Sequence, residues 1–475
     1  MRFAVLLTLL CLSPGAFAQN HDFVWTFGYA SNYIDTVIEN GGCIIDFNYN
    51  PPKMTKLNTV LNFGGYAATC SDSSGHLQFY TNGMHIFNKN YQLMENGDTI
   101  NPGDKWENFN ETNLGYIGRS PIALPDPAGH NRYYLIHTGV YIESSVKYGP
   151  LYYTLIDMEA NNGSGKVISK NNLLHEGGFS EPVAVKHANG RDWWVLLRVV
   201  GTSVILRYLI DPNGVVFSGE QIVTLPLPLN IGITRCRISP DGTRFAMLND
   251  FISLYDFDRC NGLLSNQRVL KFDSTFFFNY LSFSPDSRLL YASTSRTITQ
   301  YDLLADTISP TELDTIQEFD YTNYPFPPFY AGFADPVITP DGKIYYISSG
   351  TTVYMNLLHR PNLPGSSCDF EVAGLRLPRF NGRTYYNFPN YRLSALEGSP
   401  CDTIVYKKQP RFVNTSYEAF LEQQTLSRRQ IFRQAPPYSG KRNVPFKPET
   451  LEHLMMEDLK KVELRKIKVI ENDKK

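Results

Sequence analysis

The apolar positions of this chain fall in short runs, each closed by a polar turn, and the body carries no long stripe at the 3.6-residue helical period. Three of the turns are near copies of one another: "SPDG" at 239–242, "SPDS" at 284–287 and "TPDG" at 339–342. Ser or Thr opens a type I turn well, Pro presets φ at the second position, Asp tolerates the third, and Gly suits the fourth. Apolar runs such as Arg244–Leu248 and Lys343–Ile347 follow the turns, and "TRCRIS", "YLSFS" and "DPVIT" precede them. The phrase predicts a β-hairpin with both strands buried.

Weaker relatives of the phrase occur upstream, in "CSDSSGHLQFYTNG", "LPDPAGHNRYYLIHT" and "KHANGRDWWVLL". Measured between Gly75, Gly129, Gly190, Gly242, Ser287 and Gly342, the steps run from 45 to 61 residues. A hairpin repeating at roughly 40–50 residues is what four-stranded propeller blades produce, with longer steps holding longer loops. Six turns imply six units. The leftover ends, "FVWTFGY" at 23–29 with "CIIDF" at 43–47 and "CDFEVAGLRL" at 368–377, supply a seventh and remove the free sheet edges. The expected fold is all-β, a seven-bladed β-propeller (alternatively six-bladed) of four-stranded blades over residues 19–405. In "RDWWVLL", Trp193 and Trp194 face opposite sides of a strand, so one is expected in the core and the other between blades.

Composition changes this picture little. The hydrophobic share of 42% and aromatic share of 13% suit many half-buried strands, and 34 Gly with 30 Pro suit many tight turns. Charge is uneven: residues 402–475 hold 16 Lys or Arg against 10 Asp or Glu, leaving residues 19–401 at −9. An acidic body argues against nucleic acid as a partner. Residues 1–18 read as a cleaved secretory signal, with Arg2, an apolar run from Phe3 to Leu12, and Ala16 and Ala18 before the cut. That run is too short to span a bilayer, which needs about 20 apolar residues. Export permits disulfides among the six cysteines left after the signal. Cys236 with Cys260 and Cys368 with Cys401 are the expected pairs, since each brackets what reads as one supersecondary unit. The alternative is that several are buried free thiols.

The turn phrase followed by an apolar strand resembles the WD40-like (PD40-type) repeats of bacterial exported propellers. Longer phrases, among them "IIDFNYNPP", "LQFYTNGMHIFNKNYQLMENGD", "LYDFDRCNGLLS" and "FPNYRLSALEGSPCDTI", resemble a family of large secreted or surface proteins of gliding, Bacteroidetes-type bacteria. That resemblance spans residues 20–405 and implies export, but no defined activity. Family members often end in a β-sandwich sorting domain, and this chain lacks the alternating strands for one. Residues 406–448 read instead as a Pro-rich, basic linker. Residues 449–470 read as an amphipathic basic helix, with Leu451, Met455, Leu459 and Val462 in a narrow stripe. It is expected to pack on the protein or stay solvated, or else to dock peripherally on an envelope partner or an anionic membrane surface.

Catalytic motifs are not found. "NNGSGKV" lacks the phosphate-loop spacing, Ser180 lacks the Gly of a nucleophile elbow, and Asp256 with Asp258 lacks a third calcium ligand. No cofactor is expected, although strands far apart in sequence can assemble a metal site around a channel. His85, His137 and His187 are the histidines to examine. For recognition, "YTNYPFPPFYAGF" at 321–333 sets Tyr321, Tyr324, Phe326, Phe329 and Tyr330 between prolines, which can present aromatic faces at little entropic cost. The alternative there is a plug between blades. The expected function is a non-enzymatic binding or scaffolding module, exported to the periplasm, outer membrane or exterior, with a protein or polysaccharide partner. The rival is a hydrolase or lyase acting on glycan or peptide at the channel mouth.

Overall fold

The computed structural model describes residues 19–402 except 31–40, 64, 104–105, 108–120, 140, 144–145, 226–233, 250, 273–278, 316–331, 349–351 and 382–383. The chain divides into two compact units, residues 1–405 and 406–475, and the second lies outside the described residues. The expected signal at 1–18, linker at 406–448 and helix at 449–470 therefore also lie outside them.

Seven antiparallel sheets follow one another along the chain. Five have four named strands in simple up-and-down order. The third blade holds β7 (Ile122–Pro125), β8 (Arg132–Thr138), β11 (Leu151–Asp157) and β12 (Lys166–His175), with a small hairpin, β9 (Tyr141–Glu143) and β10 (Val146–Tyr148), between its second and third strands. The fourth holds β13 (Val183–Lys186), β14 (Trp193–Arg198), β15 (Val204–Asp211) and β16 (Gly214–Ile222). The fifth holds β17 (Arg235–Ile238), β18 (Arg244–Leu248), β19 (Phe251–Asp258) and β20 (Leu263–Lys271). The sixth holds β21 (Tyr280–Phe283), β22 (Leu289–Ser293), β23 (Thr297–Asp302) and β24 (Pro310–Thr315). The seventh holds β25 (Ala334–Ile338), β26 (Ile344–Ile347), β27 (Thr352–Leu358) and β28 (Phe370–Asn381). The second blade has β4 (Ala68–Ser71), β5 (Leu77–Thr81) and β6 (Ile86–Asn88), and the stretch 92–97 folds back along β6. Met94 N donates to Ile86 O at 2.9 Å there, and Ile86 N donates to Gly97 O at 2.7 Å.

The first blade has only β1 (Val24–Gly28), β2 (Gly42–Asp46) and β3 (Lys53–Leu57) from the N-terminal side. Its innermost position is taken by residues 384–388. This segment pairs in parallel with the stretch just before β4, through the Tyr66–Tyr385 bridge, and lies beside β1 through side-chain contacts. Thr384 reaches Gly28, the Tyr386 hydroxyl donates to Thr26 O, and Phe388 stacks on Trp25. Closure by both ends of the chain was expected, but from residues 368–377. Those residues instead enter β28, the outer strand of blade seven, and the closing strand comes after it.

All six repeated turns join the first and second strands of their blades, and all make the same bond. The N–H of Gly75, Gly129, Gly190, Gly242, Ser287 and Gly342 donates to the carbonyl three residues back at 2.8–3.0 Å. Each of these six residues has φ between +64° and +94°, the left-handed region, which is why Gly recurs in the phrase. In the Ser-Pro-Asp copies the opening hydroxyl donates to the Asp carboxylate, as Ser239 and Ser284 do at 2.5 Å.

The apolar core is divided into layers between blades. Leu196, Phe245, Met247 and Tyr255 join blades four and five, and Leu254, Leu281, Leu290 and Tyr301 join five and six. Trp193 and Trp194 do face opposite ways, but both lie between blades. Trp193 packs toward blade three and donates to Pro125 O at 3.1 Å, while Trp194 packs toward blade five and donates to Arg259 O at 2.8 Å. A blade is a single sheet with no core of its own, so each of its faces must find a neighbour.

Candidate functional site at the propeller axis

The inner strands direct charged side chains onto the axis. On β17 the two-residue period puts Arg235 and Arg237 on one side and Cys236 on the other, in the layer between blades four and five. Opposite, β25 pairs irregularly with β26 between Ala334 and Pro336, and the residue in between, Asp335, has φ of +25°. Such a bulge re-aims a side chain. Glu181 stands two residues before the start of β13, ahead of Pro182.

These four residues form one buried network. Arg237 donates from Nη1 to Glu181 Oε2 at 2.7 Å and from Nη2 to Asp335 Oδ1 at 2.9 Å. Arg235 Nη1 lies 3.5 Å from Glu181 Oε1, and its guanidinium is ringed by Tyr280, Tyr66 and Tyr385 at 4.9, 5.4 and 5.6 Å from the ring centroids. The hydroxyls of Tyr280 and Tyr385 are 3.2 Å apart. Two positive and two negative charges cancel, which is the condition under which buried charges are tolerated. The aromatic faces add cation–π attraction where water is excluded. Burial pushes the Asp335 carboxyl up to about 6 despite Arg237 and Arg235 beside it. Burial opposes the charge on Arg237, but Glu181 and Asp335 outweigh it and hold its pKa above the usual range. Asp335 Oδ2 and Arg235 Nε make no hydrogen bond among the described residues.

At the end of the axis where the six repeated turns lie, the chain crosses part of its own propeller, over blades three to five. Beyond the closing strand, residues 389–402 run as a strap across this turn face. Asn390 donates to Pro240 O at 2.7 Å, the Tyr391 hydroxyl donates to Ala123 O at 2.7 Å, and Leu396 N donates to Ala188 O at 2.8 Å. Arg392 grips Asp22 with two bonds of 2.7 Å. Buried Arg259 donates to the carbonyls of Lys186, His187 and Ser394, joining two blades to the strap. Cys260, in the turn after β19, is disulfide-bonded to Cys401 with Cα atoms 5.5 Å apart.

This pairing corrects the expected one. Cys236 and Cys368 are buried free thiols, as are Cys43 and Cys70. Cys236 points between blades four and five and Cys368 between six and seven, so neither can reach an outer turn or the strap. The three histidines do not converge. His137 is buried between Asn101 and Thr154, at 2.7 and 2.9 Å, His187 contacts Cys260 O at 3.0 Å, and His85 packs near Trp106. Among the described residues no group of three or more His, Cys, Asp or Glu is placed to hold a metal ion. Tyr321, Tyr324, Phe326, Phe329 and Tyr330 lie outside the described residues. The end of that stretch, Phe333, is buried against Tyr346 and Phe370.

Sequence reading missed the axial network. Its only local sign is the pair of arginines two apart in "TRCRIS", a charged alternation in a strand otherwise read as buried. The partners stand 56 and 98 residues away, and only ring closure brings them together.

No family model matches the chain, and no curated protein does. Solved structures resemble it distantly. A candidate 6-phosphogluconolactonase from Bacteroides fragilis is 12% identical, over 76% of this chain and 97% of that one, with a TM-score of 0.46. A functionally unknown protein from Desulfotomaculum acetoxidans is 13% identical over 73% and 96%, with a TM-score of 0.40. AztD from Citrobacter koseri is 12% identical over 72% and 93%, with a TM-score of 0.35. Likenesses this distant assign no substrate or partner, and the seven blades rest on the chain's own strand order.

Proposed function

We propose that the protein is an exported, non-enzymatic propeller that binds and scaffolds a partner at the cell envelope or outside the cell. The observation that carries this reading is the axis itself: its carboxylates are matched by arginines, and the strap crosses part of its turn face. Recognition then falls to the loops at the opposite face, where a rigid scaffold leaves connections free to vary. The disulfide agrees with an oxidising compartment, and the resemblance of several phrases to those of secreted surface proteins supports export. No described helix is long and apolar enough to cross a membrane.

The proposed contact residues are Tyr321, Tyr324, Phe326, Phe329 and Tyr330, in the connection between β24 and β25, facing a surface protein or polysaccharide. Residues 449–470 are the proposed peripheral docking segment. Nucleic acid is not proposed, given the acidic body. The test is capture from native envelope extract and on a polysaccharide array, with the full chain and with Tyr324→Ala/Phe329→Ala. A loss of at least about tenfold in the variant is expected, since each stacking aromatic contributes roughly 1 kcal/mol or more. Equal capture by both proteins would remove the aromatic stretch from the reading.

One observation favours the rival, a glycan- or peptide-cleaving enzyme at the channel mouth: Asp335 carries a raised pKa and an unpartnered oxygen, as an acid–base catalyst can. Cleavage of glycan or peptide by the wild type that disappears in Asp335→Asn would replace the binding reading.

A further inference from the structure

The ring is closed without a covalent bond inside blade one, by the single segment 384–388, and that segment is the inner end of a longer zipper. Outward along the chain come the Asn387 bond to Pro182 O, the Asn390 and Tyr391 bonds, the Arg392–Asp22 pair, the Ser394 and Leu396 contacts, and last the disulfide at Cys401. A segment held mainly by single hydrogen bonds opens from its last contact inward. Among the described residues the disulfide is the last of these contacts, so it blocks peeling from that side.

Its two cysteines are also set apart from the others. Cys260 and Cys401 are partly exposed, so a soluble thiol can reach them. The free thiols are buried, and burial pushes Cys43 and Cys236 up to about 12 and Cys368 up to about 11. They stay protonated near neutral pH and do not attack the disulfide from within.

We propose that Cys260–Cys401 is a redox-gated clasp on ring closure: oxidised, it holds residues 384–402 in place, and reduction by a dithiol lets that segment peel away while the other blades stay folded. In the reaction, a dithiol thiolate attacks one cysteine sulfur and forms a mixed disulfide, releasing the other cysteine as a thiolate that takes up a proton. The second thiol of the reductant then displaces the remaining cysteine, which is protonated in turn. The reductant leaves as its own disulfide, and two electrons and two protons have passed to the protein.

The test is hydrogen exchange on the full chain, oxidised and after dithiothreitol, with Cys401→Ser as a second route to the open clasp. Exchange in 384–396 is expected to rise at least about tenfold on reduction, while β13–β15 and β21–β23 keep their protection. Two results would overturn the clasp: unchanged exchange in 384–396, or a rise spread equally over all blades. Should Cys401→Ser fail to fold, the reduced wild type still decides between them.

Discussion

At the fourth position of the repeated turns, the same backbone conformation is required in very different surroundings. A Cβ on Gly342 would meet nothing within 4 Å, whereas one on Gly242 would meet Arg259 Cδ and Leu393 Cδ2 at 2.8 Å and Val185 Cγ2 at 3.2 Å. Gly342→Ala is therefore expected to cost only the left-handed φ, about 1 kcal/mol. Gly242→Ala should cost about 2 kcal/mol more, because it also pushes the strap off the turn. Urea denaturation of the two variants checks the difference, and equal losses would show that the strap yields freely. Asp335 makes a prediction of opposite sense to ordinary acid denaturation. Its pKa of about 6 in the fold stands above the ordinary value of 3.8 for an Asp carboxyl, so its contribution to stability is greatest at low pH and is lost as pH rises from about 4 to 6. His21, lowered to about 4 chiefly by burial, works the other way in the same window, destabilising the fold as pH falls below 6.5. The Asp335 share is isolated by comparison with Asp335→Asn: the deficit of that variant should be larger at pH 4.5 than at pH 7. A deficit independent of pH would contradict the raised pKa.

The elements of this fold are plain strands, and what distinguishes them is what their ends do. The turn after β19 carries both Arg259, whose guanidinium satisfies carbonyls from β13, its following turn and the strap, and Cys260, the anchor of the strap. Arg259→Ala would remove a donor from three carbonyls; His187 O keeps the Gly190 N–H and Ser394 lies at the surface, so the loss is about 1–2 kcal/mol, chiefly from buried Lys186 O. Thermal unfolding under oxidising conditions measures it. Arg259→Lys should recover only part, because a single ammonium cannot span carbonyls that the planar guanidinium reaches together. A shift in melting temperature no larger than that of an exposed Arg→Ala control would mean that these bonds are replaced by water.

Across the whole molecule, ring closure couples the two ends of the described chain. Removing residues 403–475 leaves every described contact of the ring intact, and a folded propeller is expected. Removing residues 384–475 takes away the segment packed inside β1 and uncovers β1 and the ring of Trp25, which packs on Tyr386 and Phe388. That truncation should keep the other blades folded but self-associate, since an uncovered strand beside an apolar face recruits other chains. Size-exclusion chromatography and circular dichroism separate the cases. A monomeric, folded 1–383 protein would show that three strands suffice in blade one.

Some of this was legible in residue order alone, and the division has a physical cause. The Ser-Pro-Asp-Gly turns, the strands on either side of them, their spacing and the propeller itself depend on local φ preferences and on alternation within a few residues, which the sequence determines directly. Which segment closes the ring, which cysteines meet, and which charges face one another across the axis depend on positions separated by tens to hundreds of residues. Nothing local to residues 384–388 marks them, rather than 368–377, as the closing segment, and Cys236 is nearer in sequence to Cys260 than Cys401 is. Only the curvature of seven packed sheets decides between them, because it brings the far end of the chain back to blade one, carries Cys401 over blade five, and sets Arg237 between Glu181 and Asp335.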